Sequence, residues 1–140
     1  MTQSTTSAFE STIHTTNIWI NDLLSDLGWE DPGEGYRALR AVLHVLRDHL
    51  QPNEAADLAA QLPMLVRGFH YEGWKPEGRP IAERKKEQFL AHVHKAFNYD
   101  PRIHPEAVTR AVFRMLARHI TKGEIEDVIG NLPADLRKLW

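Results

Sequence analysis

The 140-residue sequence contains no cysteine. This absence excludes a disulfide framework and any metal or catalytic site built on thiolate sulfur. No apolar run approaches the roughly 20 residues that a helix needs to span a bilayer. The first residues, MTQSTTSAFESTIHTT, have neither a basic start nor an apolar run, so we predict no signal peptide. We therefore expect a cytoplasmic protein with no membrane segment.

Strand signals are also weak, because no stretch alternates β-branched and polar residues. Apolar residues make up 42% of the chain and charged residues 26%, which is typical of a globular protein. A chain of this length can bury one core without disulfides or metal ions. We therefore predict an all-α fold, a compact multi-helix bundle that forms a single domain over residues 1–140.

Basic residues are missing from the start of the chain. Six acidic residues precede Arg37, and the residues after position 36 carry 17 basic and 13 acidic side chains. The acidic segment can pack against the basic remainder or can bias the choice of partner. Of these two interpretations we favour packing.

The two halves of the chain match at a shift of seventy residues without a gap. Arg-Ala-Val at 40–42 lies on Arg-Ala-Val at 110–112. Seven further residues lie on identical ones at 116, 119, 124, 127, 132, 133 and 137: Leu46, His49, Glu54, Asp57, Leu62, Pro63 and Arg67. Two units are few for a solenoid. We therefore predict two tandem pseudo-symmetric repeats, 8–74 and 83–140, that share one core and are joined by a connector at 75–82.

Each repeat is expected to contain about four helices. Apolar residues at helical spacing predict helices over about 8–28 and 34–50, with Asp31 as the N-cap of the second. A short third helix follows in each half, and Pro63 or Pro133 opens a fourth. Residues 18–70 should superpose on 88–140 by a rotation near 180°. Nine residues are predicted to be buried in the core: Leu39, Val42, Leu43, Leu46, Leu62, Val112, Leu116, Ile120 and Leu132.

The segment LPMLVRGFHYEGW, residues 62–74, combines two glycines with a histidine, a glutamate and large aromatics. We interpret it as the fourth helix followed by a packed turn. Phe69 is expected to be buried, Gly68 to allow close helix approach and Gly73 to end the segment at positive φ. The residues beside Phe69 form a candidate partner contact: His70, Tyr71, Glu72 and Trp74. Tyr71 and Trp74 are expected to be partly buried, and His70 and Glu72 more exposed.

Four strings, RALRAVLHVLRDHL, LAAQLPMLVRGFHYEGW, FLAHV and GEIEDVIGNLPADLRKLW, resemble the bacterial family known as domain of unknown function 2267 (DUF2267). The resemblance runs from about residue 12 to the C-terminus. It implies a soluble, all-helical bacterial protein. It assigns no catalytic or binding residue.

Eight histidines raise the question of a metal site. His92 and His94 are two residues apart and His44 and His49 five apart, and neither spacing places two ligands on one helix face. We therefore predict no metal and no cofactor. A metal found in the protein would point first to His70, His92 or His94.

Several duplicated residues are given structural roles. Trp29 and Tyr99 follow the first helix of each half and are expected to fasten its end to the core. His49 and His119 lie in the last turn of the long helices, where the helix dipole favours a partly charged imidazole by about 0.3–1 kcal/mol.

The repeated acids are paired at i, i+3: Glu54 with Asp57, and Glu124 with Asp127. Such carboxylates can do acid–base chemistry when burial raises the pKa of one of them. These acids also stand where helix N-termini favour them. We favour duplicated ion pairing between helices, with the repeated arginines as partners: Arg40, Arg67, Arg110 and Arg137.

Three arginines form a stripe on one predicted helix: Arg110, Arg114 and Arg118. A basic stripe is typical of nucleic-acid binding. Alternatively, Glu106 can pair with Arg110 at i+4, and Asp22 and Asp26 of the first helix can face the other two. We do not expect nucleic-acid binding, but the stripe remains a candidate partner contact.

No serine–histidine–acid arrangement and no glycine-rich phosphate loop stand out. We predict a non-catalytic helical module for protein interaction or scaffolding, which binds a protein partner or self-associates. The alternatives are a small-ligand or regulatory domain that uses the cleft between the halves, and, less favoured, an enzyme.

Overall fold

The computed structural model describes residues 6–140 and folds that part of the chain into eight α-helices without a strand. This confirms the predicted all-α class; residues 1–5 of the predicted domain lie outside the described residues. The first four helices are α1 (Ser7–Leu27), α2 (Pro32–Asp48), α3 (Pro52–Ala60) and α4 (Met64–Tyr71). The other four are α5 (Lys86–Ala96), α6 (Pro105–His119), α7 (Lys122–Asn131) and α8 (Ala134–Arg137).

The helices of the second half follow the order of the first, but their lengths differ. α1 has 21 residues and α5 only 11, while α4 has 8 and α8 has 4. The superposition of the two halves stays a prediction. Within residues 6–140, none of the helices combines the length and the apolar character needed to cross a bilayer.

Capping residues define where α2 and α7 begin. Asp31 accepts a hydrogen bond at 2.9 Å from the N–H of Gly33, and Pro32 occupies the first turn of α2. This N-cap is the one that the sequence predicts. Thr121 caps α7 by accepting the N–H of Glu124 at 3.3 Å.

The core lies around α2 and α6, which pack against each other and both contact α1 and α5. The prediction for the core is confirmed, because all nine residues are buried: Leu39, Val42, Leu43, Leu46, Leu62, Val112, Leu116, Ile120 and Leu132. Gly35 permits the close approach of α2 to α1, since a Cβ there would lie 2.9 Å from Cδ2 of Leu24. Gly68 has no such role: no heavy atom lies within 4 Å of its Cβ position, so that expectation is wrong.

The chain between α4 and α5 is fastened to the end of α2. The N–H of Ile81 donates to the carbonyl oxygen of Asp48 at 2.9 Å, and Nε of Arg79 lies 3.4 Å from the Asp48 carboxylate. Asp48 therefore holds the segment in which the connector is predicted.

The residues after α1 and α5 differ in burial. Trp29 packs against the core, as predicted. Tyr99 is 58% exposed, so the prediction for it is wrong. Asn98 and Tyr99 both have positive φ, at 54° and 56°, whereas the first half has a positive φ here only at Gly28. The second left-handed residue turns the Tyr99 ring away from the core and towards the edge of His94, 5.5 Å between ring centres.

Candidate functional site

The end of α4 is a packed turn. Phe69 is buried and its ring stacks on Tyr36, with 5.2 Å between the centroids. Gly73 has a φ of 72°, and Trp74 is partly buried with its ring 5.4 Å from that of Tyr71. These observations confirm the predictions for Phe69, Gly73 and Trp74. Tyr71 keeps 36% of its surface exposed.

His70 is buried, which contradicts the prediction that it is exposed beside Glu72. Only 1% of its surface is accessible, and Nε2–H donates to the carbonyl of Ala55 on α3 at 3.2 Å. Burial lowers the pKa of His70 to about 4, so the ring is neutral. The prediction assumed that exposure alternates, but α4 runs to Tyr71 and packs on both α2 and α3, which buries adjacent residues. Glu72 is exposed, as predicted, and pairs with Arg40.

A cavity of about 430 Å³ opens between α1, α2 and α4, and we call it the apolar groove. Eight residues line it: Thr16, Asn17, Ile20, Tyr36, Leu65, Gly68, Phe69 and Glu72. Its volume is in the range of ligand pockets. Because Gly68 has no side chain, the space above α4 stays open.

Large apolar side chains continue from the groove onto the surface. Met64 and Leu65, in the first turn of α4, are 55% and 50% exposed, and Phe9 and Ile13 of α1 are 54% and 47% exposed. The hydroxyl of Thr12 accepts the N–H of Leu65 at 3.0 Å, so these two turns are neighbours. The result is an apolar surface made by two helices.

The matching positions of the second half carry ion pairs instead. Nζ of Lys86 lies 3.1 Å from Glu106, Nζ of Lys138 lies 3.1 Å from Asp135, and Asp135 also accepts the N–H of Lys86 at 2.6 Å. In the seventy-residue register these four residues stand at the places of groove residues: Thr16, Tyr36, Gly68 and Leu65.

A second cavity, of about 600 Å³, lies between the loops that precede α2 and α6, one from each half. We call it the charged cleft; its lining residues are Trp29, Glu30, Asp31, Glu34, Arg37, Asp100, Arg102 and Ile103. Arg102 binds Asp100 through two nitrogens, at 3.1 and 2.8 Å, and these hydrogen bonds lower the pKa of Asp100 to about 2. The guanidinium of Arg37 lies 5.1 Å from the centre of the Phe97 ring.

The arginine stripe is paired within the chain. The nitrogen–oxygen distances are 3.0 Å for Arg110 to Glu106, 3.0 Å for Arg114 to Asp26 and 2.9 Å for Arg118 to Asp22. The predicted pairing with α1 and Glu106 is therefore confirmed. The acidic α1 packs against the basic α6, which explains the uneven charge of the sequence.

Glu54 and Glu124 form an acidic pair where α3 packs against α7. Oε1 of each side chain is buried and accepts no hydrogen bond from a donor in the described chain. Burial, a hydrogen bond with Glu54 and the charges of Glu54, Asp57 and Asp127 raise the pKa of Glu124 to about 8. A helix N-terminus favours a carboxylate by only about 0.3–1 kcal/mol. Two like charges brought together at a partly buried site repel each other, which favours a proton on the pair.

The ion pairing predicted for the repeated acids and arginines is therefore largely wrong. Glu54 and Glu124 face each other. Arg67 donates to the carbonyls of Ala59 and Leu62 at 3.0 and 3.1 Å, and Arg137 donates to those of Leu132 and Gly130 at 2.8 and 3.1 Å. These arginines close the C-terminal ends of α3 and α7, where a cation is favoured.

Six of the eight histidines make side-chain hydrogen bonds within the described residues. His49 is buried and donates from Nδ1 to the carbonyl of Val45 at 2.7 Å; burial lowers its pKa, so the expected partial charge is wrong there. His119 donates to Asp22 at 2.9 Å. His92 lies 2.7 Å from Glu83. Among residues 6–140, no three histidine or acidic side chains are grouped so that they could hold a metal ion.

One protein family, described as uncharacterized conserved protein (DUF2267), matches residues 16–139. The chain belongs to the DUF2267 family. This confirms the resemblance seen in the sequence. No curated protein matches the chain. The groove, the cleft and the acidic pair lie within the DUF2267 region, whereas Phe9 and Ile13 precede it.

Two features of this DUF2267 chain were not predicted from the sequence, although each has a signal there. The groove could have been found from the register, because Leu65 and Tyr36 stand where the second half has Asp135 and Glu106. The acidic pair could have been found from the repeated glutamate in the seventy-residue register. In the predicted pseudo-two-fold arrangement, a residue near the axis would meet its own counterpart, so a repeated acid would meet itself.

Proposed function

We propose that the chain is a non-catalytic interaction module whose apolar groove binds an amphipathic helix of a protein partner in the cytoplasm. One observation carries this proposal: large apolar side chains stay exposed around the groove, namely Phe9, Ile13, Tyr36, Met64 and Leu65. Soluble domains rarely leave a contiguous apolar surface uncovered unless it serves an interaction.

The contrast between the halves supports the proposal. At four places where the groove has Thr16, Tyr36, Leu65 and Gly68, the second half has Lys86, Glu106, Asp135 and Lys138, which pair with each other. If the halves are tandem repeats, as we infer, the same scaffold accepts a charged surface at this position. The fold therefore does not require Leu65 and Tyr36 to be apolar and exposed.

The length of α1 also supports an interaction surface at the groove. α5 begins at Lys86, the counterpart of Thr16, whereas α1 begins at Ser7. Phe9 and Ile13 lie in the additional turns, and with Asn17 they follow at four-residue spacing on one face of the helix. The additional turns extend the apolar surface beyond the end of the groove.

A helical occupant fits the walls of the groove. Helices satisfy their own backbone hydrogen bonds, so α1 and α4 offer a partner side-chain surface rather than a sheet edge. Apolar side chains of the partner at i, i+3 and i+4 would enter the open space above Gly68. The ion pair of Arg40 with Glu72 borders the groove and would offer hydrogen bonds to polar groups of the partner.

The variant Leu65→Asp tests the proposal. An aspartate in the first turn of a helix is compatible with the helix dipole, so the fold should persist. Ala134→Asp is the matched control, because Ala134 is exposed in the first turn of α8. A protein that copurifies with the wild type would be identified and purified, and its Kd measured by calorimetry. We expect Leu65→Asp to raise the Kd about tenfold or more and Ala134→Asp to leave it unchanged.

Equal affinity for both variants would contradict the proposal. Sedimentation of the purified chain adds an independent outcome. A dimer that Leu65→Asp dissociates and Ala134→Asp does not would show that a second copy occupies the groove, and the proposal of a different protein partner would fail.

A second function is favoured by the charged cleft, which would bind a small regulatory ligand between the halves. Four acidic residues and two arginines line the cleft, and both arginines have acidic partners there, Arg37 with Glu34 and Arg102 with Asp100. The surplus of carboxylates favours a cationic ligand, and Trp29 offers it an aromatic face. The test is the melting temperature of the protein across a panel of organic amines. A rise that Glu34→Gln removes and Glu126→Gln keeps would support this site; no rise with any amine would contradict it.

A further inference from the structure

The acidic pair joins two helices that lie far apart in the sequence. α3 packs against α7, Glu124 of α7 is within hydrogen-bonding reach of Glu54 of α3, and each glutamate has a buried Oε1 that has no donor in the described chain. A hydrogen bond also joins the two helices: the N–H of Gln51, the N-cap of α3, donates to Oδ1 of Asn131, the last residue of α7, at 2.8 Å. A proton shared between two carboxyl groups satisfies buried oxygens that have no other donor.

We propose that Glu54 and Glu124 form a proton-operated latch, which one shared proton closes and whose loss separates α3 from α7. The proton turns one carboxyl into a donor to the other. When it leaves, two buried like charges face each other, and the helices must move apart or admit water.

The surroundings offer no replacement for the proton within the described residues. On α3 and α7, Asp57 and Asp127 oppose ionisation of the pair, and Lys122 of α7 is 91% exposed with its Nζ 3.9 Å from Glu126. The basic groups of the neighbouring elements are hydrogen-bonded elsewhere: Arg47 and His49 of the α2 region, Arg67 and His70 of α4, Arg118 and His119 of α6, and Arg137 of α8.

The latch is connected to the rest of the first half through α3. The carbonyl of Ala55, the residue after Glu54, accepts the Nε2–H of His70 on α4 at 3.2 Å. Movement of α3 would therefore strain the hydrogen bond between Ala55 of α3 and His70 of α4. We expect opening to involve α3 and α7 first and α4 next.

Two measurements on the full chain test the latch. Carbon-13 NMR of the glutamate carboxyl groups between pH 4 and 10 should show the Glu124 carboxyl titrating with a midpoint near pH 8. Hydrogen exchange of α3 and α7, corrected for intrinsic rates, should show an opening constant that rises roughly thirtyfold between pH 6.5 and 9. This change is expected when Glu124 has a pKa of about 8 in the closed state and its ordinary pKa of 4.5 in the open state.

Glu124→Gln replaces the shared proton by an amide donor, so its opening constant should not change over this range of pH. Glu54→Gln makes the same test from the other helix if Glu124→Gln does not fold. Glu126→Gln, on the exposed side of α7, is the control and should behave as the wild type. The latch is overturned if the Glu124 carboxyl titrates between pH 4 and 5, or if the three variants respond to pH in the same way.

Discussion

Nη1 of Arg47 lies 2.6 Å from the carbonyl oxygen of His70 and 2.6 Å from that of Glu72. A buried guanidinium of α2 thus satisfies two carbonyls at the end of α4 and holds the packed turn in place. Arg47 is only 5% exposed, and its Nε also contacts Asp48 at 3.2 Å. The packed turn after α4 is therefore held by the guanidinium of Arg47 as well as by its aromatic side chains.

Replacement of Arg47 by methionine should destabilise the fold by about 2–4 kcal/mol, because two carbonyls lose a charged donor and Asp48 loses a partner. Urea unfolding at neutral pH measures the loss. Arg84→Met is the control, since Arg84 is exposed, and it should cost less than about 0.5 kcal/mol. A similar loss in both variants would mean that Arg47 does not hold the turn.

His70 should make the protein sensitive to acid. Its pKa is near 6.5 in the unfolded chain and about 4 in the folded one, so the unfolded state binds more protons between these values. Stability is complete above pH 6.5 and falls as the pH falls towards 4, by about 3 kcal/mol for this shift.

His70→Gln keeps a donor for the carbonyl of Ala55 but does not titrate. It should reduce the loss of stability between pH 6.5 and 4 in urea unfolding, whatever its stability at pH 7, whereas His44 and His49, whose pKa values burial also lowers, keep a part of that loss. His14→Gln, at an exposed histidine of α1, should keep the slope of the wild type. If His70→Gln unfolds with the same pH dependence as the wild type, His70 is not the group responsible.

The centre of the core gives a third prediction. Leu46 and Leu116 are fully buried and occupy the same place in the two halves of the sequence. Leu46→Ala and Leu116→Ala should each cost about 2–5 kcal/mol, from lost apolar contact and the cavity left behind. Denaturant unfolding is the measurement, and a loss below about 1 kcal/mol in both would mean that these residues are not central to the core.

The core and the helices could be predicted because each depends on local periodicity and capping. Asp31 begins α2, and the apolar face that contains Leu39 and Leu46 follows from spacing alone. The prediction that His70 is exposed was wrong because its burial depends on packing against α3. A local sequence pattern does not show where α3 packs. The prediction that Tyr99 packs on the core was wrong because its exposure depends on a positive φ, which the aligned Trp29 does not have.

The site was predicted less well for a related reason. The pairing of Arg118 with Asp22 could be anticipated, since opposite charges on two helices attract over several residues. The contact of Glu54 with Glu124 could not be inferred from attraction, because like charges meet there only when the packing of α3 on α7 forces it.

Two glycines should respond to substitution in opposite ways. Gly73 has a φ of 72°, so Gly73→Val should destabilise the fold by about 1 kcal/mol or more through backbone strain. Gly68 lies within α4 with open space at its Cβ position, so Gly68→Ala should stabilise the fold by about 0.5–1 kcal/mol. Urea unfolding decides both, and changes of the same sign would contradict this assignment.

The arginine stripe should become available only when its partners on α1 lose their charge. Wild-type protein is expected to show no binding to duplex DNA at physiological salt, because Arg114 and Arg118 are paired with Asp26 and Asp22. The double variant Asp22→Asn, Asp26→Asn keeps the shape of both side chains and should cost about 1 kcal/mol or less for each exposed pair. It should bind DNA weakly, with an affinity that falls steeply as salt is raised.

The control is the double variant Glu77→Gln, Glu87→Gln, which changes the net charge equally at other exposed positions and should not bind. The opposite result would be wild-type binding that is strong, salt-dependent and lost in Arg114→Ala, because the stripe would then be a nucleic-acid contact in spite of its pairing.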